Sequence, residues 1–389
     1  MPTPAAHVLA MPRSGIREIM DATWALGGEM IGLHVGEPSF PTPPHILDGA
    51  RRALDRGETR YVPNGGIPEL RTALAKKVSV RNGITATPEQ VIVSAGGMQA
   101  LLNSMALIIT AGDEVLIPDP GWPNFAMLVQ MLQAVPVRYP LRPENRFLPD
   151  VADLEKAITG RTAAVIVNSP SNPLGSVIGA ELAEALVGFA ERHDLWLTSD
   201  ECYDAITFDK EHVSPASVGG SDRVISCFSF SKTYAMTGMR VGYAVVPTAV
   251  APVAAKLQEP MVACVNAPAQ WAALAALEGP QDAVETMRST YQERRDQAAR
   301  LFDDFGVPYL RPEGAFYLWV DVRDRCGGSV SAWALRLLRE QRVAVAPGTA
   351  FGPLGEGWVR LSLATDTNQL LKGCRRIAAF QQVPEVPEV

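Results

Sequence analysis

Residues 224–246 read Val224-Ile225-Ser226-Cys227-Phe228-Ser229-Phe230-Ser231-Lys232-Thr233-Tyr234-Ala235-Met236-Thr237-Gly238-Met239-Arg240-Val241-Gly242-Tyr243-Ala244-Val245-Val246. Two apolar β-type runs, Val224–Phe228 and Val241–Val246, enclose a turn rich in small hydroxyl residues with one lysine and one arginine. A lysine just past a strand, among hydroxyl groups, suits a covalently held aldehyde that bears a phosphate. Lys232 would supply an imine nitrogen, and Ser229, Ser231 and Arg240 would donate to the phosphate dianion. A solvated loop carrying Lys and Arg satisfies the same residues equally well, so the rest of the chain must decide.

Outward from this stretch the pattern alternates. Strands are expected at Val91–Val93, Glu114–Ile117, Ala163–Val167, Leu195–Thr198 and Val224–Phe228, with helices at Met98–Ile109, Asn124–Gln133 and Ala180–His193. Short, nearly all-apolar strands separated by helices specify an α/β fold whose mostly parallel sheet is covered on both faces. Val241–Val246, reached by a short connection, is expected to run antiparallel. Further on, helices at Pro268–Glu278, Gln281–Phe305, Ser331–Gln341 and Thr367–Phe380 alternate with strands at Ala315–Val320, Val343–Ala346 and Val359–Leu363. This reads as a smaller α+β domain. Upstream, a proline-rich arm is expected to be extended. A helix Ser14–Leu26, a strand Met30–Val35 and helices His45–Arg56 and Pro68–Asn82 follow it. The expected division is an arm at 1–12, an N-terminal part of the small domain at 13–44, a large domain at 45–282 and a C-terminal small domain at 283–389, frayed from Val383.

The chain has 389 residues, 47% of them apolar, and a formal charge of −7. With no Lys/Arg block, neither nucleic acid nor an anionic membrane is an expected partner. Five scattered cysteines offer neither a disulfide framework nor zinc-ligand spacing. No signal pattern and no long apolar run is present, so a soluble cytoplasmic protein is expected.

In an open parallel sheet, ligands sit at the carboxyl ends of strands, where helix N-termini point free amides. Four further stretches fall at such ends. Ser94-Ala95-Gly96-Gly97-Met98 is either an ordinary tight turn or a phosphate cup of backbone N–H groups. Trp122, in Pro118-Asp119-Pro120-Gly121-Trp122-Pro123, either packs into the core or stacks on a flat ligand. Asn172, in a loop of turn residues, is able to donate to a phenolate oxygen. Asp200 either caps a helix or pairs with a cation such as a protonated ring nitrogen. Tyr203 lies one turn beyond it. A lysine for an aldehyde, an acid for a ring nitrogen, donors for a phenolate, a stacking ring and a phosphate cup together describe pyridoxal phosphate.

These residues give the chain its resemblance to the class I/II aminotransferases, the fold type I pyridoxal-phosphate enzymes. The motifs match in order along the whole chain: Gly36-Glu37-Pro38, the Tyr61 loop, Gly96-Gly97, Trp122, Asn172-Pro173, Asp200-Glu201-x-Tyr203, Ser229-x-Ser231-Lys232, Arg240 and Trp358-Val359-Arg360. The resemblance implies a large domain with a mostly parallel seven-stranded sheet and a smaller α+β domain. It implies pyridoxal 5'-phosphate as cofactor, held as a Schiff base on Lys232, which then shuttles the proton. Asp200 would keep the ring nitrogen protonated, Asn172 and Tyr203 would bond the ring oxygen, and Trp122 would stack. Gly97, Met98, Ser229, Ser231 and Arg240 would hold the phosphate. Tyr61 would reach the phosphate of a neighbouring subunit, which makes the protein a homodimer with shared sites. Arg360 would clamp the substrate α-carboxylate, assisted by Gly36 and Asn172. Met98 departs from the hydroxyl residue or lysine common at its position and offers only a backbone amide.

The implied reaction is a ping-pong transfer of an amino group from an L-amino acid to a 2-oxo acid such as 2-oxoglutarate or pyruvate. The helix Met98–Ile109 holds no cation for a second carboxylate, and Arg13 and Arg17 read as solvated as readily as they read as ligands. With Phe40, Trp122 and Phe316 as expected neighbours of the pocket, a neutral aromatic or aliphatic amino acid is favoured over aspartate. The same scaffold also supports α,β-elimination lyases and ring-forming synthases. A ligand-sensing regulator is disfavoured by acidity and by the lack of room for a DNA-binding helix-turn-helix.

Overall fold

The computed structural model describes residues 2–12, 14–219 and 222–380. Arg13 and the tail from Val383, both singled out in the sequence, lie outside the described residues. Strands β1 (Val91–Ser94), β2 (Glu114–Asp119), β3 (Val135–Pro140), β4 (Thr162–Asn168), β5 (Trp196–Asp200), β6 (Val224–Ser229) and β7 (Gly242–Val245) form one sheet. Their order is β1-β7-β6-β5-β4-β2-β3. β7 is antiparallel to both its neighbours and every other pair is parallel. β1, β2 and β7 are buried at every position. That is why they read as unbroken apolar runs rather than alternating ones.

β3 went unread because Pro136, Arg138 and Pro140 break its apolar pattern. It pairs only with β2, and an edge strand tolerates the missing N–H of proline. Two helices also went unread. Val151–Ala157 is only seven residues long and starts at Asp150, whose side chain accepts from the Ala152 amide. Ala251–Val262 carries Pro260 inside it, the usual sign against a helix.

The smaller sheet runs Ala346–Pro347, Trp358–Ser362, Tyr317–Asp321, Tyr309–Leu310, antiparallel throughout. Of the expected strand Met30–Val35 only Ile31–Gly32 is regular, and it pairs in parallel with Val343–Ala344. Leu33 continues the connection, donating to Ala344 O at 2.8 Å and accepting from Ser362 N at 2.8 Å. One apolar core therefore joins Ile19, Ile31 and Leu33 near the N-terminus to Phe302, Trp333, Leu337 and Ile377. Each such side chain contributes about 1.5–3 kcal/mol on burial. The arm is not wholly extended, since Ala6–Leu9 form a single helical turn. Among the described residues no helix is long and apolar enough to cross a membrane.

Candidate active site

A cavity of about 290 Å³ opens at the carboxyl ends of the parallel strands. Gly97, Met98, Trp122, Asn172, Asp200, Tyr203, Ser229, Ser231, Lys232 and Arg240 all line it, as do Asn124 and Cys202. The topology explains this convergence. β1, β2, β4, β5 and β6 point the same way, so the turns that leave them share one rim. After β1, Gly96 adopts φ +84°, and the helix Gly97–Ile108 begins. Its first amides have no intrahelical acceptor and face the rim, where an anion is favoured. Side chains are excluded here: a Cβ on Gly97 would lie 2.7 Å from Cys202 Sγ and 3.1 Å from Ser229 Cβ. Gly242, opening β7, is equally constrained, because a Cβ there would lie 2.6 Å from the Gly97 nitrogen. Arg240 reaches the same corner, donating to Thr237 O at 2.9 Å and Ala95 O at 3.3 Å.

Lys232 and Asp200 enter the cavity from neighbouring strands. β6 ends at Ser229, whose hydroxyl accepts from the Ser231 amide and starts the one-turn helix Phe230–Thr233 that carries Lys232. Lys232 Nζ donates to Gly36 O at 2.7 Å. Burial, with the Arg360 and Arg240 charges adding to it, lowers this ammonium to about 8. Asp200 closes β5, is 4% exposed, and accepts from the Cys202 amide at 3.1 Å. Burial is the main cause that raises its carboxyl to about 6, and the adjacent Glu201 charge acts in the same direction. No helix follows Asp200, because residues 202–205 form a turn, so it caps none and accepts a turn amide while it faces the cavity. Cys202 beside it is no nucleophile, because burial pushes its thiol well up.

Asn172 has one end of its amide committed: Oδ1 accepts from Arg360 at 3.0 Å. The NH₂ is therefore the end left to donate. Tyr203 bonds Tyr317, hydroxyl to hydroxyl, at 2.8 Å. Trp122 packs edge-to-face on Phe125 with centroids 5.6 Å apart. Met98 offers more than an amide, since its sulfur accepts from Asn124 at 3.3 Å.

Three residues given a binding or catalytic role in the sequence do not line this cavity. Gly36 touches it only through its carbonyl on Lys232, and it has no room for a side chain, because a Cβ would sit 2.0 Å from Tyr317 Oη. Arg360 lies behind Asn172, 2% exposed, also donates to His34 O, and stacks 4.4 Å over Tyr317. Its Nε is buried without a partner. Burial first, and the Arg360 charge second, hold the His34 imidazole down at about 4. Tyr61 is 90% exposed and stands apart from the cavity. Of the expected aromatic neighbours, Phe316 is buried against Tyr203 and Tyr291, and Phe40 packs on Tyr291. Neither lines the cavity. Arg17 is exposed, whereas Ile16 packs against an apolar cluster that contains Tyr139 and Trp319. Tyr317 and Asn124 went unread. The one signal for Tyr317 is a phenol inside an otherwise apolar strand.

Residues 28–377 match the family model of the class I and II aminotransferases. The chain belongs to this family. As an aminotransferase it is 41% identical to the aspartate/prephenate aminotransferase of Thermus thermophilus, over 90% of this chain and 91% of that one. It is 39% identical to aromatic-amino-acid aminotransferase 2 of Thermococcus litoralis, over 94% of each chain. Among solved structures, the aspartate aminotransferase of Thermus thermophilus with maleate superposes with a TM-score of 0.92. The two are 40% identical, over 97% of this chain and 99% of that one. Family membership implies pyridoxal phosphate as cofactor. For this aminotransferase, Gly97→Ala is expected to destabilise the fold by about 1–3 kcal/mol, since the Cys202 and Ser229 side chains must both shift. Gly160→Ala, where an added Cβ meets nothing within 4 Å, is the neutral control. Urea-unfolding midpoints of the two variants check this.

Proposed function

We propose that this chain binds pyridoxal 5'-phosphate in the cavity at the ends of β1, β2, β4, β5 and β6. There it moves an amino group from a neutral L-amino acid, aromatic or aliphatic, to a 2-oxo acid such as 2-oxoglutarate or pyruvate. The observation that carries this reading is that Lys232 and Asp200 face one cavity from adjacent strands. The donor set fits the cofactor. Gly97 leaves space only a side-chain-free residue permits, beside Ser229, Ser231 and Arg240, and Asp200 is a buried carboxylate that calls for a cation. When bound, pyridoxal phosphate supplies an aldehyde for amine exchange and a ring that accepts electrons.

The chain's own residues do the rest. The Gly97 and Met98 amides, Ser229, Ser231 and Arg240 hold the phosphate. Asp200 holds a proton on the ring nitrogen, the Asn172 amide and Tyr203 hydroxyl donate to the ring oxygen, and Trp122 stacks. Lys232 anchors the cofactor through Nζ, and the same nitrogen, once free, takes and returns the substrate Cα proton. Its burial lowers the ammonium to about 8, so about a tenth of the amine is neutral at pH 7. Arg360, with Gly36 and Asn172, clamps the α-carboxylate. Tyr61, exposed on the single chain, serves the phosphate of a second copy in a homodimer.

The substrate preference rests on charge. Among the described residues that line the cavity, the cations are Lys232 and Arg240, both committed to the cofactor, and Arg360 behind them serves the α-carboxylate. A distal carboxylate would find no further cation there. Single amino acids added to the yellow holoprotein test this, by the bleaching of its visible band and its return with 2-oxoglutarate. Phenylalanine or leucine is expected to exceed aspartate in kcat/KM by about tenfold or more. Aspartate reacting faster than the neutral amino acids would overturn the preference. Pyruvate and ammonia accumulating under an unbleached band would replace transfer by elimination.

A further inference from the structure

Behind Asp200 lies a second carboxylate that the reaction as described does not use. Glu201 is fully buried and follows Asp200 directly in the chain, its amide donating to Cys227 O at 2.8 Å. Its Oε2 lies 2.8 Å from His212 Nε2, and its Oε1 accepts from Ser214 Oγ at 2.9 Å. The imidazole is itself fixed from behind, with Nδ1 3.2 Å from Ser169 Oγ. That hydroxyl already accepts from the Ile178 amide at 2.9 Å. His212 thus bridges Ser169 to Glu201, and its Nε2 meets the carboxylate together with the Ser214 hydroxyl. Among the described residues no lysine or arginine pairs with the Glu201 carboxylate, which is held by His212 and Ser214.

A glutamine would make comparable hydrogen bonds here without the cost of a buried charge. The charge has one evident beneficiary on its own strand. Asp200, 4% exposed, lines the cavity, and Glu201, 0% exposed, follows it directly behind that lining. We propose that Glu201, oriented by His212 and Ser214, is a positioning residue whose buried charge strengthens Asp200 as the partner of a protonated ring nitrogen. This rests on the reading that Asp200 meets the ring nitrogen of bound pyridoxal phosphate. The groups that face Glu201 are consistent with it. Cys227 and Tyr243 are held protonated by burial, and Lys77 is paired with Asp204 rather than Glu201.

The test uses holoenzyme loaded with pyridoxal phosphate that carries an isotopic label on its ring nitrogen, followed by NMR across pH. In Glu201→Gln the ring nitrogen is expected to lose its proton about one pH unit lower than in wild type, a tenfold loss of proton affinity. Glu201→Asp retains the charge and is expected to hold the wild-type midpoint even where its melting temperature falls. Equal displacement of the midpoint in both variants would make the effect structural and overturn the proposal. So would an unmoved midpoint in Glu201→Gln. Wild-type protein that takes up no labelled cofactor overturns the cofactor reading, and the proposal with it.

Discussion

Lys232→Ala is expected to lower kcat for transamination by about 10⁴-fold or more, with the folded structure retained. The size follows from the loss of two roles at one nitrogen, the covalent anchor and the acid–base group at Cα, which together act as a unit. The side chain has one hydrogen-bond partner, the Gly36 carbonyl, so its removal orphans a single acceptor at the rim of a cavity that water enters. Circular dichroism should therefore match wild type while the rate collapses. A variant that retained more than about a hundredth of wild-type kcat would assign the chemistry elsewhere. The lysine has a second signature in the unloaded protein. With its ammonium lowered to about 8, the neutral amine that attacks an aldehyde grows about tenfold between pH 7 and pH 9. The rate of cofactor uptake is expected to rise with it and then level off.

Arg360→Ala is the second large effect, and it falls on substrate affinity. Loss of one partner from a buried, hydrogen-bonded ion pair costs about 2–5 kcal/mol, which predicts a drop in kcat/KM of about 30- to 5,000-fold, mostly through the amino-acid KM. Two acceptors, Asn172 Oδ1 and His34 O, also lose their donor. Arg360→Lys separates charge from shape: it restores the cation without the planar fork, and it is expected to recover only about tenfold. Equal KM values in wild type and Arg360→Ala would remove Arg360 from the carboxylate site.

The central sheet was legible because its parallel strands are buried on both faces and therefore carry unbroken apolar runs. It failed where that pattern fails. β3, with its prolines, is at an edge, and of the strand expected at Met30–Val35 only Ile31–Gly32 pairs regularly, with Val343–Ala344 far along the chain. Ten of the residues named for the site lie on one cavity, since each was read from the turn just after a strand and those turns share a rim. Phe40 and Phe316 were misplaced because an aromatic residue in sequence carries no direction. Phe316 and Tyr317 both meet Tyr203, Phe316 through its ring and Tyr317 through its hydroxyl, and Tyr317 also lies under Arg360.

The amino-acid sequence alone determined the fold class and the family, and it singled out the lysine, carboxylate and glycine that line the cavity, because each is a local feature: a period, a turn, a residue type at a strand's end. The tertiary structure alone decided what is set across long separations. Arg360 sits behind Asn172 rather than in the cavity, Tyr61 stands free of it, and Glu201 is buried with His212 beneath Asp200. Those relations follow from which strands lie side by side and from how much water each charge has lost, and neither quantity is written in any short stretch of chain.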